Sequence, residues 1–419
     1  MSVNRNLFTN NFSIDSFKIN TPEQFFLKSG TPVFFYNHND LKLVRFTILN
    51  NFNTFENDLC VNYFVKKMLL EGCEKHNHTE IADIIDFYGA DINITATTDA
   101  NIISFTVLRE YFNDIFNLLC EILKELLFNE DRLEYIKDKK IQELKIENTK
   151  NKTIAYKTFK KELFGNRNYG YSLNEEDIKK VTTCNLKSHY SQFWLNNTQI
   201  FITGDIDEKL LKDIDKNIPD SLNFSNDNFF NNKIESVISS KIININKQDS
   251  EQVSMCLGHI LINDENYQKL WCTVAFLGGY FGSRLMKNIR ERNGYTYGIS
   301  AQIVNYRYVK YLLIKTSAKK EFKEAIIEEI RKEITLLQNE KISEEELNGF
   351  KQYFLGNMLA TFSNVFSDMV HSVTIKMLNF EEDYYQKLFE TIKNISGEEI
   401  NHIAKKYLNP DKFVQVFVG

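Results

Sequence analysis

The second half of this chain repeats the first, and an internal duplication restricts the possible folds more than any single motif does. Gly89-Ala-Asp-Ile-Asn-Ile-Thr-Ala aligns with Gly294-Tyr-Thr-Tyr-Gly-Ile-Ser-Ala at an offset of 205 residues. A helix beginning at Phe112 aligns with one beginning at Phe322, an offset of 210, and Val181 to Gly204 aligns with Ile395 to Gly419 at 214 to 215. Loop insertions produce a drift of this size. In both copies a helix leads through Phe-Trp-Leu or Tyr-Leu-Asn-Pro to a strand that ends in Gly. The expected fold class is α+β, with two homologous α/β sandwich-like domains, each an antiparallel or mixed sheet packed by helices. The boundaries read as 1–217 and 236–419, joined by an Asn-, Asp- and Ser-rich linker at 218–235. A chain of 419 residues exceeds what one hydrophobic core usually supports, which agrees with two domains.

Within the first copy, residues 25–36 read as a hairpin and 43–49 as a strand. Asp58 can cap a helix over 59–71 whose buried stripe is Val61, Phe64, Val65, Met68 and Leu69. Thr79 can cap the next helix, which Gly89 ends. Strand-like runs at 91–97 and 102–108 precede long helices at 112–127 and 131–146. In the second copy, a glycine-rich bend at Gly278-Gly279 leads into a short amphipathic helix with Leu285, Met286 and Ile289 on one face. Asn293-Gly294 closes that helix, Gly294 suiting the left-handed residue of a helix end. A strand then starts near Tyr295. This corner carries Arg290 on its last helical turn and Tyr297 just beyond, a cation and a phenol able to grip a peptide carbonyl or a developing oxyanion.

Net charge of −5 argues against nucleic acid as the main partner. The six cysteines are scattered without a C-x-x-C, so most should be buried thiols in a reducing compartment. Residues 1–20 have neither the apolar core of a secretion signal nor the arginine-rich character of a mitochondrial presequence, and no apolar run approaches membrane-spanning length. A cytoplasmic location without membrane association is therefore expected. Walker, dinucleotide-binding and G-x-S-x-G patterns are missing from the sequence. Histidines cluster only in Glu74-Lys-His76-Asn-His78-Thr-Glu80, which reads as a polar loop entering a helix cap, with a zinc clip as the alternative.

The arginine and tyrosine seven positions apart, with the flanking Ser-Arg-Leu and Gly-x-x-Tyr, resemble the second-half signature of the pitrilysin/insulinase family, the inverted-motif zinc peptidases. The two-copy α+β plan extends that resemblance over nearly the whole chain. In the family, the arginine and tyrosine bind substrate backbone and assist the reaction, so the resemblance implies catalytic roles for Arg290 and Tyr297. Active members carry H-x-x-E-H on the helix that corresponds here to residues 58–72. The aligned residues are Tyr63, Lys66 and Lys67, and Glu143 falls near the family's third ligand. An ammonium has no lone pair and cannot ligate zinc. No metal is therefore expected in this chain. The pattern resembles the non-zinc subunit of two-chain bacterial members and of the mitochondrial processing peptidase. It implies a heterodimer with a homologous subunit that carries the zinc, acting on unfolded peptides. The bend at residues 277–283 is too short for the long glycine-rich loop of the processing peptidase, so presequence processing is not implied. The other reading is a purely structural or peptide-binding subunit, like the family's respiratory-complex members.

Overall fold

A computed structural model describes residues 19–52, 58–224, 240–248, 250–261 and 266–419. The expected linker lies outside these residues beyond position 224. The first half runs β1 (Glu23–Phe26), β2 (Pro32–Asn37), β3 (Leu43–Asn51), α1 (Leu59–Met68), α2 (His78–Phe87), β4 (Asp91–Ala96) and β5 (Ala100–Leu108). It continues through α3 (Phe112–Lys124), α4 (Glu130–Glu147), α5 (Asn151–Phe164), α6 (Glu175–Lys180), α7 (Thr183–Phe193), β6 (Thr198–Gly204) and α8 (Glu208–Asn217). The second half runs β7 (Lys241–Ile245), β8 (Gln252–Gly258), β9 (Ile260–Leu261), α9 (Tyr267–Gly278), a π-helix (Met286–Arg292), β10 (Thr296–Asn305) and β11 (Lys310–Lys319). Then follow α10 (Lys323–Asn339), α11 (Glu344–Phe362), α12 (Ser367–Leu378), α13 (Tyr384–Asn394), α14 (Gly397–Tyr407) and β12 (Val414–Val418).

Among the described residues the first sheet has the order β1-β2-β6-β3-β5-β4, and the second β7-β12-β8-β11-β10 with β9 beside β11. Setting β2 against β7 and β4 against β10, the two orders coincide. So do the strand senses, since each sheet has one parallel pair, β2 with β6 and β7 with β12. A parallel pair needs a crossover, and the helices of each half supply it. The returning strands, β6 (TQIFITG) and β12 (VQVFV), are almost continuously apolar because both of their faces are covered. Even a 3₁₀ turn recurs, at Arg109–Tyr111 before α3 and at Lys320–Phe322 before α10.

The main core of each half lies between one sheet face and its own helices. In the first half Phe46, Phe105, Phe112 and Phe116 form a ring cluster between β3, β5 and α3. The opposite faces are covered by exchange. Ala155, Phe159 and Leu163 of α5 pack on Cys256, Leu313 and Val416 of the second sheet. Met369 and Val373 of α12 pack on Tyr36, Leu49 and Phe201 of the first. α5 and α12 are each the third helix after the corresponding hairpin, so the exchange is reciprocal. A sheet apolar on both faces must be covered on both.

The equivalent hairpin turns also meet. Asp99, buried between β4 and β5, accepts hydrogen bonds from the Arg307 backbone N–H (3.0 Å) and the Tyr169 hydroxyl (2.7 Å). Arg307, between β10 and β11, donates from Nε to the Met377 carbonyl (2.8 Å), from Nη1 to the Phe52 carbonyl (3.1 Å) and from Nη2 to Asn51 Oδ1. The two halves are thus interlocked by helices and by turns.

Three helix limits differ from expectation. α3 ends at Lys124 rather than 127. α1 stops at Met68, because the chain turns through Gly72, at φ +147°, to pair with Asn77. α2 is capped by Asn77, not Thr79: Asn77 Oδ1 accepts from Thr79 and Glu80 N–H, and Glu80 returns a carboxylate to the Asn77 N–H.

Candidate functional site

The helix that would carry a metal is well anchored. Asp58 caps α1, accepting from the N–H groups of Cys60 and Val61 at 3.0 Å. Asn62 faces inward, where its Oδ1 accepts from Trp194 Nε1 (2.8 Å) and lies 3.2 Å from His189 Nε2, while its Nδ2 donates to Asn101 Oδ1 (2.9 Å). Tyr63, the next residue, is half-buried in the contact between α1 and α4.

A lysine from α4 fills this position. The Lys140 ammonium lies 5.5 Å from the Tyr63 ring centroid and donates to Glu143 Oε2 (3.4 Å) and Glu147 Oε1 (3.2 Å). Its side chain is only 10% exposed. Lys67 Nζ lies 5.8 Å from the same ring. Burial pushes the Tyr63 hydroxyl up to about 12, and the nearby Glu143 and Glu147 carboxylates push the same way. Burial first, then neighbouring Lys67, lowers the Lys66 pKa. The structure therefore brings Tyr63, Lys67 and Glu143 into one cluster, with Lys66 beside Lys67. No sequence motif marks Lys140, although its position three residues before Glu143 signals an ion pair on one helix face.

These groups do not fit zinc. The cluster presents ammonium groups and a phenol where imidazoles would be needed, and a resident cation already holds the carboxylate nearest to the third-ligand position. Among the described residues no group of three or more His, Cys, Asp or Glu could hold a metal ion. In the loop before α2, His76 faces Glu121 at 3.5 Å, and Asn77 and Glu80 are engaged in the cap.

The second candidate site is built at the corner after α9. Gly278 is required there, since a Cβ would lie 2.6 Å from Ala301 of β10. The expected amphipathic helix is a π-helix, one residue per turn wider than an α-helix. Leu285 and Ile289 are buried as expected. The wide turn is held by Asn288, a buried residue whose Nδ2 donates to Glu329 (2.6 Å) and Glu333 (2.8 Å) and whose Oδ1 accepts from Asn293 Nδ2 (2.7 Å). π-turns of this kind concentrate at functional sites. Gly294 has φ +65°, the left-handed conformation expected of it.

Tyr297 lies in a β-bulge. The register of β10 on β11 shifts between Thr296, opposite Ala318, and Ile299, opposite Thr316, so Tyr297 and Gly298 together face Ser317. Thr296 Oγ1 donates to the Ser317 carbonyl (2.7 Å) and accepts from the Gly298 N–H (3.1 Å), and Thr316 Oγ1 donates to the Gly298 carbonyl (2.8 Å). A bulge re-aims its side chain, and here the Tyr297 ring is 95% exposed on the edge strand. Arg290 is half-buried, its guanidinium carbon 4.6 Å from the centroid of the Phe281 ring. Next to this corner is a cleft of about 1050 Å³ between the glycine bend, α10 and α11, lined by Tyr280, Phe281, Arg292 and Tyr353 among others. At its wall Arg284 and Glu346 form a bidentate pair (2.8 and 2.9 Å).

The family model for insulinase, peptidase family M16, matches residues 55–177, and that for the peptidase M16 inactive domain matches residues 180–354. The chain belongs to peptidase family M16. It is 25% identical over 366 residues to a Helicobacter pylori relative named non-peptidase homolog YmxG, covering 84% of this chain and 82% of that one. A Bacillus subtilis relative named uncharacterized zinc protease YmxG is 20% identical over 362 residues, covering 84% and 86%. In fold, the chain resembles the crystal structure of a peptidase M16 inactive domain from Pseudomonas fluorescens, with TM-score 0.83, 21% identity and coverage of 95% and 98%. It also resembles a chain of complex III2 from Candida albicans, with TM-score 0.74, 13% identity and 95% coverage of each. The two M16 models part at 177–180, ahead of β6, whereas the sheets part between Gly204 and Lys241. Among the described residues no helix is long and apolar enough to cross a membrane.

Proposed function

We propose that this M16 chain is the non-zinc subunit of a heterodimeric metalloendopeptidase that cleaves unfolded peptides in the cytoplasm. The zinc is carried by a homologous partner with an intact H-x-x-E-H helix, where it activates the attacking water. Tyr297 donates a hydrogen bond to the oxyanion of the tetrahedral intermediate, and Arg290 holds a nearby substrate carbonyl.

The observation that carries this reading is the placement of Tyr297. A phenol 95% exposed contributes almost nothing to packing, yet the bulge that carries it is pinned by threonine hydrogen bonds to the Ser317 and Gly298 carbonyls. Such an arrangement suits a group presented to a ligand. The Lys140 cluster supports a metal held elsewhere, since the corresponding position in this chain is taken by an ammonium. The name of the Helicobacter pylori relative, a non-peptidase homolog, agrees with a chain inactive alone.

The test is Tyr297→Phe in the reconstituted pair. Loss of one preorganised oxyanion donor lowers turnover by about 10²–10³, or roughly 2.7–4 kcal/mol, with subunit affinity unchanged. Arg290→Ala should raise KM as well as lower turnover. Equal turnover for Tyr297→Phe and wild type would remove the catalytic role and leave a structural or peptide-binding subunit.

A further inference from the structure

We propose that Phe281 is a positioning residue that holds the Arg290 guanidinium flat and pre-aligned for a substrate carbonyl. This deepens the Arg290/Tyr297 reading and rests on it. Arginine carries much rotamer freedom, and an anchor whose side chain must be ordered on binding loses affinity. In this structure the ordering is done beforehand. The guanidinium carbon of Arg290 lies 4.6 Å from the Phe281 ring centroid, within cation–π range.

The ring itself is rigidly presented. Ser283 N–H donates to the Tyr280 carbonyl at 3.1 Å, closing a tight turn over Tyr280-Phe281-Gly282. Tyr280 turns inward against Tyr353 and Phe354, with ring centroids 4.9 and 5.5 Å away. Gly282 is required beneath it, since a Cβ there would lie 2.8 Å from the Tyr280 ring. With its neighbour committed to packing, Phe281 projects outward and remains 59% exposed. Burial gives no account of a phenylalanine so placed. Its contact with Arg290 does. The ring also lines the large cleft, so it stands between a side-chain recess and a backbone anchor.

The experiment is a double-mutant cycle in the reconstituted pair, measuring KM and kcat on a fluorogenic unfolded peptide. Phe281→Leu keeps apolar bulk and removes the π face. KM should rise about 2- to 5-fold, the size of one exposed cation–π contact, with kcat falling by no more than in Arg290→Ala and melting temperature unchanged. Phe281→Tyr should restore KM. In an Arg290→Ala background, Phe281→Leu should have no further effect. An equal rise of KM in both backgrounds would overturn the inference, because Phe281 would then act on substrate directly. A fall in kcat beyond that of Arg290→Ala, or a fall in melting temperature, would also overturn it. If Arg290→Ala itself left KM unchanged, the Arg290 reading would fall and this inference with it. A second measurement separates the two failures. In the free chain with ¹³C-labelled arginine, ring current shifts the Arg290 δ protons upfield, and Phe281→Leu should abolish that shift. An unmoved resonance would refute the stacking whatever the subunit does.

Discussion

Restoring the metal ligands in the first half should fail for a reason that the helix carrying them does not reveal. The triple variant Tyr63→His, Lys66→Glu, Lys67→His recreates H-x-x-E-H on α1. Lys140 remains, with its ammonium 5.5 Å from the centroid of the present Tyr63 ring and bonded to Glu143 and Glu147. A divalent ion at that distance meets repulsion of roughly 6 kcal/mol at an effective dielectric near 20, falling to about 1.5 kcal/mol in bulk water. Zinc affinity should therefore be weakened by about one to four powers of ten relative to a site without the lysine. Adding Lys140→Met removes the charge while keeping an apolar chain of similar length, and frees Glu143 to ligate. Zinc dissociation constants from competition with a chromogenic chelator, triple against quadruple variant, measure the effect directly. Equal affinity in the two variants would refute the claim that the lysine holds the metal's place.

Three other outcomes follow from the same geometry. His189 is buried beside Asn62, and desolvation lowers its pKa to about 4, so the unfolded state binds a proton that the folded state refuses. Its stability contribution is full above about pH 6.5 and is lost as pH falls toward 4, by up to about 3 kcal/mol; urea melts across this range should show a slope that His189→Gln flattens, and an unchanged slope would refute the assignment. Of the cysteines, Cys184 is exposed while Cys60, Cys73, Cys120, Cys256 and Cys272 are buried. Burial also pushes the Cys60, Cys120 and Cys256 thiols up to about 12, so Ellman's reagent should titrate one thiol quickly in the native chain and all six after unfolding. Arg307→Met removes the charge-assisted bonds to Phe52, Met377 and Asn51 and should cost about 2–4 kcal/mol in chemical denaturation. The wild-type chain should unfold in a single transition, and two separated transitions would refute the interlock of its halves.

The duplication was legible because a repeated hydrophobic pattern is local information read twice. Asp58 as a cap and Gly294 as a left-handed residue were legible for a similar reason. Each depends on a few neighbouring residues and on backbone sterics that are the same in any fold. The sequence alone therefore determined two α+β copies, the loss of every ligand on the first helix, and the corner that carries the arginine and tyrosine. Tertiary structure decided the rest. The amphipathic pattern of α5 and α12 marks an apolar face but not which sheet it meets, and each meets the sheet of the other half. The widening of the helix at Arg290 depends on Asn288 reaching Glu329 and Glu333, 41 and 45 residues away. The direction of Tyr297 depends on Thr316 of the neighbouring strand, and Asp99 meets Arg307 across 208 residues. Lys140 reads as an ordinary surface lysine until α4 is laid against α1. Spacing along the chain specifies geometry over a turn or two, whereas a charge beside a would-be metal site is set only when distant elements pack.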